Sequence, residues 1–569
     1  MTRPDDHDPA VRLAELGERW SAVQHGADPL NATLLGLTEF DGVLGDPGVE
    51  ASAATAAAMA GIEREASAID PSPLDAAARV DRAVLIALAR SSAADAEDAL
   101  WAADASAKGY VSRQALVFQA VPAMTATEPD AAERYLTRLG GIAGYLGALG
   151  DRYVEEAAAG RVPTRVGVAG AVAQLEAAVA SGGGELLRPA RAAAPAIAEA
   201  AAAIVQDEVR PAMTVLADRL RSALSPLARD DDQVGIDRVP GGERAYASAV
   251  ARHTTTALTP EHVHAIGLAE LEALEARWAE VGGRALGLDR LPDIAQRMRA
   301  DPALRFRTSA EVVETARAAL DRAEAARHGV LPEADIPPCA IEEIGPLEAE
   351  HAPLGYYRPP ATDGSRAGAY CLLTTAPGDR YRFEYEALTF HESVPGHHLQ
   401  LAMAQTLDVP RYRRSLDVEA CAFNEGWGLY AEALSDELGL YSDDVARLGM
   451  LSFHALRACR LVVDTGLHAF GWSRGKAVAF LLEHTATTRA NAVSEVDRYI
   501  AWPGQALAYL IGQREILRLR EESRAALGGR FTLLGFHGAV LGSGAVPLDV
   551  LADVVTGWRR QVGEEGSWS

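Results

Sequence analysis

The segment that most restricts how this chain can fold runs from Phe390 to Gln400 and reads FHESVPGHHLQ. It places His391 directly before Glu392 and puts two further histidines just after a Pro-Gly pair. In a zinc-binding helix of the His-Glu-x-x-His kind, residues four apart share one face, so two imidazoles reach one ion while the glutamate polarises its water. Here Pro395 occupies the fourth position after His391, so a regular helix cannot form that site.

The geometry of a regular α-helix shows why neither later histidine can reach the same ion as His391 unless the helix is broken. In a regular helix His397 is turned about 120° from His391 and lies roughly 9 Å along the axis. His398 returns to the same face but lies roughly 10.5 Å along the axis, too far for two bonds of about 2.1 Å. Pro395 lacks a backbone donor and Gly396 tolerates unusual dihedrals, so this pair can break the helix. Looping out two residues brings His397 into position and looping out three brings His398, so His397 is the favoured ligand and His398 the alternative.

A third ligand is expected from the helical run between about Ser415 and Leu438. Glu425 in this run is followed by Gly426 and Gly428, and each glycine costs a helix about 1 kcal/mol relative to alanine. A close approach between two backbones would offset that cost and would carry Glu425 onto the ion. Glu432 lies two turns further along the same face and is the alternative ligand. Imidazole and carboxylate ligands that leave one position open for water favour Zn²⁺.

Together these motifs resemble one bacterial family. The sequences HESVPGH (391–397) and EGWGLY (425–430) are similar to the domain-of-unknown-function family DUF885, as are HTTTALT from His253, RLVVDTGLH from Arg460 and WPGQALAYLIG from Trp502. The resemblance covers about the last two-thirds of the chain. It implies a gluzincin-like metallopeptidase: a mainly α fold with two helical lobes around a deep cleft, a small β-sheet next to the zinc helix, and metal ligands of the two-His, one-Glu kind.

Further residues are candidates for the chemistry. Glu392 is expected to act as the general base that takes a proton from the attacking water. A donor should face the oxyanion that develops during hydrolysis, and Tyr509 and His468 are the candidates. Arg460, Asp464 and His468 stand four residues apart on one helix face, where Asp464 could orient either neighbour. The competing interpretations are a core tyrosine at 509 and an intrahelical ion-pair series without a catalytic role.

Composition excludes several classes of function. The chain has 569 residues, of which 49% are hydrophobic, enough for a large core in two or more lobes. A net charge of −25 argues against a nucleic-acid partner, which requires a basic surface. No apolar run of about 18 residues predicts a membrane span, and the first residues do not resemble a signal peptide. The four cysteines are scattered and predict free thiols in a reducing compartment, so we expect a cytoplasmic protein.

Patterning along the chain predicts its organisation. An acidic run at 230–232 and PGG at 240–242 suggest a boundary, with an N-terminal helical lobe at 1–232 and a catalytic region at 233–569. Helical spacing of apolar residues is strongest at Val11–Val23, Gly48–Arg64, Leu74–Arg90 and Asp130–Ala159. The run Arg191–Leu227 predicts long packed helices with breaks at Pro195 and Pro211.

The catalytic region contains a short departure from helical patterning. Cys339–Ile344 and Gly368–Thr375 predict strands of a small sheet near 339–375, followed by the metal helices at 382–438. An extended substrate can add to a sheet edge, and Ala369–Thr375 is the candidate segment, although it could equally do no more than cover the metal helix.

These observations predict a zinc-dependent metallohydrolase, specifically a peptidase that cleaves short peptides with metal-activated water. One alternative is a non-catalytic, metal-stabilised binding protein, whose ion a fourth protein ligand would close. Another is a zinc hydrolase acting on a non-peptide amide or ester. The expected partner is a peptide or small amide; oligomeric state and endo- or exopeptidase action are not predicted.

Overall fold

The computed structural model describes residues 8–108, 111–344, 353–360 and 367–565. It is mainly helical and consists of two compact units. The first unit comprises Met1–Ala249, Leu467–Gly475 and Glu495–Pro503, and the second comprises Val250–Gly466, Lys476–Ser494 and Gly504–Ser569. The lobe boundary suggested by sequence at residue 232 lies within the first unit.

The first unit is built from helices whose buried side chains recur at three- and four-residue spacing. On the longest of them, Leu139, Ile142, Leu146 and Leu149 are buried in one continuous core cluster, as expected for an amphipathic helix. The four helices predicted most strongly from apolar spacing are confirmed. The helices are α1 (Pro9–Ala27), α2 (Pro29–Leu34), α3 (Val49–Ser67), α4 (Ala76–Asp98), α5 (Arg113–Ala123), α6 (Pro129–Ala158), α7 (Arg165–Ala180), α8 (Pro195–Ile204), α9 (Arg210–Arg219) and α10 (Gly242–Thr254), the last of which continues into the second unit.

The break predicted at Pro195 is present, but the one predicted at Pro211 is wrong. Pro195 is the first residue of α8, whereas Pro211 lies inside a helical run that continues through two π-helical turns, Val205–Val209 and Leu220–Leu224. A proline ring inside a regular α-helix clashes with the carbonyl four residues earlier. The wider π turn directly before α9 relieves that clash, so the helix widens at Pro211 instead of ending.

The second unit contains the predicted metal helices within a larger helical array. The predicted run Ser442–Phe470 corresponds to one long helix, and the last helix follows Pro547 as expected. The helices are α11 (Pro260–Leu286), α12 (Leu291–Ala300), α13 (Ser309–Ala326), α14 (Arg382–Glu392), α15 (His397–Thr406), α16 (Cys421–Glu437), α17 (Asp444–His468), α18 (Arg474–His484), α19 (Arg489–Ala501), α20 (Ala508–Leu527), α21 (Leu533–Leu541) and α22 (Leu548–Glu565). Of these, the ends of α17 and α18 at 467–468 and 474–475, and residues 495–501 of α19, belong to the first unit.

A three-stranded sheet precedes α14, in the order β1–β3–β2. Its strands are β1 (Ala340–Glu343), β2 (Gly355–Arg358) and β3 (Ala369–Leu372), with β1 parallel and β2 antiparallel to β3. The two predicted strands are confirmed, whereas β2 was not predicted. Residues 345–352 and 361–366 of the predicted sheet region lie outside the described residues.

The position of β3 corrects one prediction. Because β3 pairs with a strand on each side, Ala369–Leu372 is the centre of the sheet and cannot accept an added strand. Its four residues are all buried, whereas burial alternates along β2, as expected for an edge strand with one face turned outward. Any strand addition must therefore use β1 or β2.

Two further sequence predictions can be compared with the described residues. None of the cysteines forms a disulfide, and three of the four are buried. No described helix combines the length and the hydrophobicity that a membrane-spanning segment requires.

Candidate metal centre

The helix that carries His391 breaks where the sequence predicted. α14 ends at Glu392, residues 393–396 leave the helix, and α15 begins at His397. Two hydrogen bonds fix the connecting turn: the His398 backbone N–H donates to the Ser393 carbonyl over 3.1 Å, and the Trp427 indole N–H donates to the Pro395 carbonyl over 2.9 Å. The turn is therefore held from α16.

The break brings three potential ligand atoms together. The Nε2 atoms of His391 and His397 each lie 3.5 Å from Oε2 of Glu425, and one ligand atom from each of the three residues lies within 4.8 Å of the others. Two ligands bound about 2.0–2.1 Å from a tetrahedral zinc ion are roughly 3.3 Å apart. The spacing of His391, His397 and Glu425 therefore fits one ion between them.

His398, the alternative ligand, is held elsewhere. Its Nε2–H donates to the Pro337 carbonyl over 3.0 Å, and its Nδ1 accepts the Tyr357 hydroxyl over 3.1 Å. His398 follows His397 directly in the first turn of α15, so its side chain points about 100° away around the helix. The structure thus groups His397, and not His398, with the other two potential ligands.

Glu432, the alternative to Glu425, contacts the other end of the same imidazole. The Nδ1–H of His391 donates to Oε1 of Glu432 over 2.8 Å, and the Arg457 guanidinium donates to the same oxygen over 3.3 Å. A carboxylate on Nδ1 fixes the tautomer of a metal-binding histidine and leaves Nε2 as the ligand atom. Glu432 therefore orients His391, and Arg457 supports Glu432.

His397 is oriented by amide side chains that the sequence analysis did not identify. Its Nδ1–H donates to Oε1 of Gln400 over 3.3 Å, and the Gln400 amide donates to Oδ1 of Asn424 over 3.2 Å. The available signals were positional: Gln400 lies three residues after His397 on α15, and Asn424 directly precedes Glu425. Both histidines thus present Nε2 to the same point.

Glu392, the predicted general base, lies buried beside the ligands. Its Oε2 accepts the backbone N–H of Tyr357, in strand β2, over 2.9 Å. Burial raises the pKa of Glu392, the neighbouring imidazoles of His391 and His397 lower it, and Glu425 raises it again, so that the pKa remains above its usual range. A raised carboxyl pKa suits a group that must accept and then release a proton.

The pKa shifts of the potential ligands favour positive charge at this site. Burial alone would raise the pKa of Glu425, but hydrogen bonding to His391 and His397 holds it well below its usual value. Burial alone would lower the pKa of His391, but its contacts with Glu425 and Glu432 raise it to about 9. A buried group with two imidazoles and several carboxylates suits a divalent cation, so the residues fit the zinc ion that the sequence predicts.

Close backbone contacts bring α16 to the metal helix. A Cβ atom at Gly428 would lie 2.6 Å from Cε1 of His391, and one at Gly426 would lie 2.5 Å from the backbone carbon of Gly512 in α20. Only glycine allows such approaches. The close packing predicted from Gly426 and Gly428 is therefore present, and it sets the position of Glu425.

Tyr509 lies beside the centre. Its ring is partly exposed and nearly parallel to the His391 imidazole, with centroids 6.4 Å apart and an interplanar angle of 23°. The guanidinium carbon of Arg460 lies 4.2 Å from the centroid of the tyrosine ring, and that of Arg457 lies 5.9 Å away. The structure thus places Tyr509 next to His391, a potential metal ligand, and within reach of two guanidinium groups.

His468 and Asp464 make structural contacts. His468 belongs to the first unit, where its Nδ1 accepts the backbone N–H of Ile236 over 3.1 Å and its Nε2–H donates to the Tyr499 carbonyl over 3.0 Å. Burial lowers the pKa of His468 to about 4. Asp464 accepts the backbone N–H of Gly504 at 3.1 and 3.2 Å. Since both ring nitrogens of His468 bond to backbone, we do not include it in the chemistry.

Fold and site together define a class: a mainly helical protein with a His-His-Glu group on a broken helix and its neighbour. A match to the family described as bacterial protein of unknown function (DUF885) covers residues 29–555. The chain belongs to this family. No protein with a curated description matches it.

Two solved structures resemble the chain over nearly its whole length. One is of a candidate lipoprotein from Colwellia psychrerythraea, with a TM-score of 0.90 and 26% identity, covering 97% of this chain and 100% of that one. The other is of a candidate lipoprotein of unknown function from Shewanella oneidensis, with a TM-score of 0.73 and 18% identity, covering 96% of this chain and 99% of that one. The second likeness shows the fold alone.

Proposed function

We propose that this protein is a zinc-dependent metallohydrolase of the gluzincin type that cleaves peptide bonds in short peptides. The observation that carries the proposal is the convergence of His391, His397 and Glu425, with ligand atoms within 4.8 Å of one another, next to the buried carboxylate of Glu392. Bound zinc would supply Lewis-acid polarisation of the substrate carbonyl and of a water molecule.

Glu392 handles the proton in this proposal. Its carboxylate accepts a proton from the attacking water and later gives it to the departing amine, as a general base and then a general acid. The backbone N–H of Tyr357 holds one of its oxygens in place, which leaves the other oxygen for the proton. Its raised pKa brings this carboxyl closer to neutral pH, where transfer in both directions is efficient.

Tyr509 stabilises the oxyanion. Its ring lies 6.4 Å from the His391 ring, centroid to centroid, and this proximity supports the role of oxyanion donor. The Arg460 guanidinium carbon lies 4.2 Å from the centroid of the ring and holds the ring in place by a cation–π contact. A donor aimed at the developing charge supplies stabilisation that the substrate itself does not receive in the ground state.

The outer edge of β2 favours peptides among possible amide substrates. Leu373, directly after β3, donates its backbone N–H to the Leu354 carbonyl, directly before β2. Backbone groups alternate in direction along an antiparallel strand. Those of Gly355 and Tyr357 therefore point away from β3. The Tyr357 N–H points to Glu392 on that side. Because Glu392 already accepts the Tyr357 N–H, an extended peptide would pair with the Gly355 backbone and the Tyr357 carbonyl, directly beside the proposed base.

The ligand count favours catalysis over a purely structural ion. A structural zinc site is usually closed by four protein ligands, whereas a catalytic one has three and an open position. Among the described residues, the group that includes His391 has three members. The metal-stabilised binding protein therefore remains the less favoured candidate, and no contact specifically favours a non-peptide substrate.

The proposal also includes a compartment and a class of partner. Four free cysteines suit a reducing compartment, and we keep the cytoplasm as the prediction. The two proteins of similar structure are described as lipoproteins, and that description applies to them. The proposed partners are peptides or small amides.

The test is turnover of a mixed peptide library by the zinc-loaded protein and by Glu392→Gln. We expect the substitution to lower turnover by about 10²–10⁴-fold, because it removes the proton acceptor, while zinc content stays the same. Glu521→Gln, which removes an exposed carboxylate of α20, should leave turnover unchanged. Equal turnover by the wild type and Glu392→Gln would refute the proposed base.

A further inference from the structure

His398 occupies a fixed place beside the potential metal ligands without being one of them. It directly follows His397 at the start of α15, and its side chain is buried. Because a carbonyl can only accept, the Nε2–H of His398 donates to Pro337 over 3.0 Å. Nδ1 of the neutral ring is then an acceptor, and it receives the Tyr357 hydroxyl over 3.1 Å. Both ring nitrogens therefore contact the region of the small sheet, since Pro337 precedes β1 and Tyr357 belongs to β2.

Tyr357 is held at two points, one on each half of the broken helix. Its backbone N–H donates to Oε2 of Glu392, the last residue of α14, over 2.9 Å. Its hydroxyl donates to His398, in the first turn of α15. Tyr357 therefore bridges the break between α14 and α15. Strand β2 is attached both to the proposed base and to the helix that begins with the proposed ligand His397.

Close packing restricts the side chain of Tyr357. Its ring meets the His398 imidazole edge to face, with centroids 5.5 Å apart and an interplanar angle of 74°. Gly368, directly before β3, leaves the space that the hydroxyl occupies, because a Cβ atom there would lie 2.1 Å from the hydroxyl oxygen. The position of the hydroxyl against His398 is therefore fixed from both sides.

This bridge supports the outer edge of β2, where an extended peptide would pair. Within the described residues, β2 pairs with β3 alone, so the sheet holds this four-residue strand from one side. The two bonds of Tyr357 hold it from the side of α14 and α15. The edge groups that remain for a peptide are the Gly355 backbone and the Tyr357 carbonyl. Their position relative to Glu392 therefore depends on both bonds.

We propose that His398 is a positioning residue, which acts through the Tyr357 hydroxyl to hold the peptide-binding edge of β2 in register with Glu392 and the metal ligands. This inference rests on the proposed peptidase function and specifies how its substrate is placed. A shift of the strand by about 1 Å would carry the scissile bond away from Glu392, and a misplacement of that size can cost about 10²-fold in rate. His398 itself contacts neither the ion nor the substrate in this role.

The test breaks the hydrogen bond from either side. Tyr357→Phe deletes only the hydroxyl, whereas His398→Gln keeps a donor for Pro337 and removes the acceptor at Nδ1. These variants and their combination are compared with the wild type and with the control Tyr145→Phe, which loses the hydroxyl of a buried tyrosine in the first unit. The zinc-loaded proteins are assayed for kcat and KM on an extended peptide and on an N-acetyl amino-acid anilide, which is too short to pair with β2. Binding of the same peptide, labelled with a fluorophore, is measured on the zinc-free proteins.

We expect each single variant to raise KM for the peptide about tenfold, because the edge of β2 is no longer held in register. The Kd of the peptide for the zinc-free protein should rise by the same factor. The combination should lose no more than either single variant, since both break one bond. Turnover of the anilide and the zinc dissociation constant should match the wild type, as should every property of Tyr145→Phe.

Four results would overturn the role of His398 and leave the peptidase proposal standing. They are an unchanged KM and Kd in both single variants, losses that multiply in the combination, an equal loss on the anilide, and a raised zinc dissociation constant in His398→Gln, which would make His398 a ligand. If the wild type hydrolyses neither substrate nor any peptide of the library, the peptidase proposal fails and this inference fails with it.

Discussion

Glu425 and Glu432 lie seven residues apart on α16 and act on opposite ends of one imidazole. Glu425 faces Nε2 of His391 at 3.5 Å, whereas Glu432 bonds to its Nδ1 at 2.8 Å. Seven residues advance a helix by about two turns, or roughly 10.5 Å, so two carboxylates on one face can reach both sides of a ring that lies across that face. The sequence shows that these residues share a face, but the orientation of the ring decides which is the ligand.

The role of Glu432 gives a prediction for metal affinity. Glu432→Gln keeps the shape of the side chain but replaces the carboxylate that accepts the hydrogen bond from His391 Nδ1–H with a neutral amide. The zinc dissociation constant should therefore rise roughly 10–100-fold. Competition with a chromophoric chelator measures this. Glu437→Gln, on the same helix and paired with Arg520, is the control and should bind zinc like the wild type. Unchanged affinity in Glu432→Gln would mean that this carboxylate does not support the ligand.

At the level of helices and strands, local patterns could be predicted and pairings could not. Apolar spacing predicted α6 and the other strongly amphipathic helices, because that signal lies within each helix. Strand β2 was missed because it is defined by its pairing with β3, which the residues of β2 alone do not reveal. The continuation of the helix past Pro211 was missed because a π turn leaves no clear trace in residue spacing.

For the candidate site, too, local features could be predicted from the sequence and long-range contacts could not. The ligand types and the helix break could be read from HESVPGH, since proline and glycine act locally. The sequence favoured His397 over His398 as a ligand but could not decide between them. The contacts that hold His398 come from Pro337 and Tyr357, which lie far away in the sequence. The orienting amides of Gln400 and Asn424 were missed for another reason: both lie close to the potential ligands in the sequence, but their hydrogen bonds depend on side-chain orientations that spacing does not reveal.

The packing of α16 against α14 gives a prediction at the same scale. Gly428→Ala would place a methyl group 2.6 Å from the His391 ring, so we expect it to lower the free energy of unfolding by about 1–3 kcal/mol and to weaken zinc binding. Chemical denaturation and zinc titration measure the two effects.

Gly557→Ala is the matched control, because a Cβ atom there would have no neighbour within 4 Å in α22. It should raise the free energy of unfolding by about 0.5–1 kcal/mol. If both alanine variants behaved alike, the close contact between Gly428 and His391 would not be important for the site.

Across the whole molecule, the fold extends over 97% of the chain in a structure with which it shares 26% identity. Such a fold needs only hydrophobic patterning of about the right volume, so it tolerates extensive sequence change. A metal centre is less tolerant, because ligand atoms must meet within a few tenths of an ångström. The proposed function therefore depends on a few residues of the second unit within a scaffold that many sequences can form.

The central claim is that His391, His397 and Glu425 bind one zinc ion. The most direct measurement is a crystal structure of the zinc-loaded protein with anomalous scattering recorded on both sides of the zinc absorption edge. We predict one strong anomalous peak about 2.0–2.1 Å from the Nε2 atoms of both histidines and from a Glu425 oxygen, with Glu392 facing the open coordination position. A peak bound by His398, or no peak among these three residues at saturating zinc, would contradict the claim.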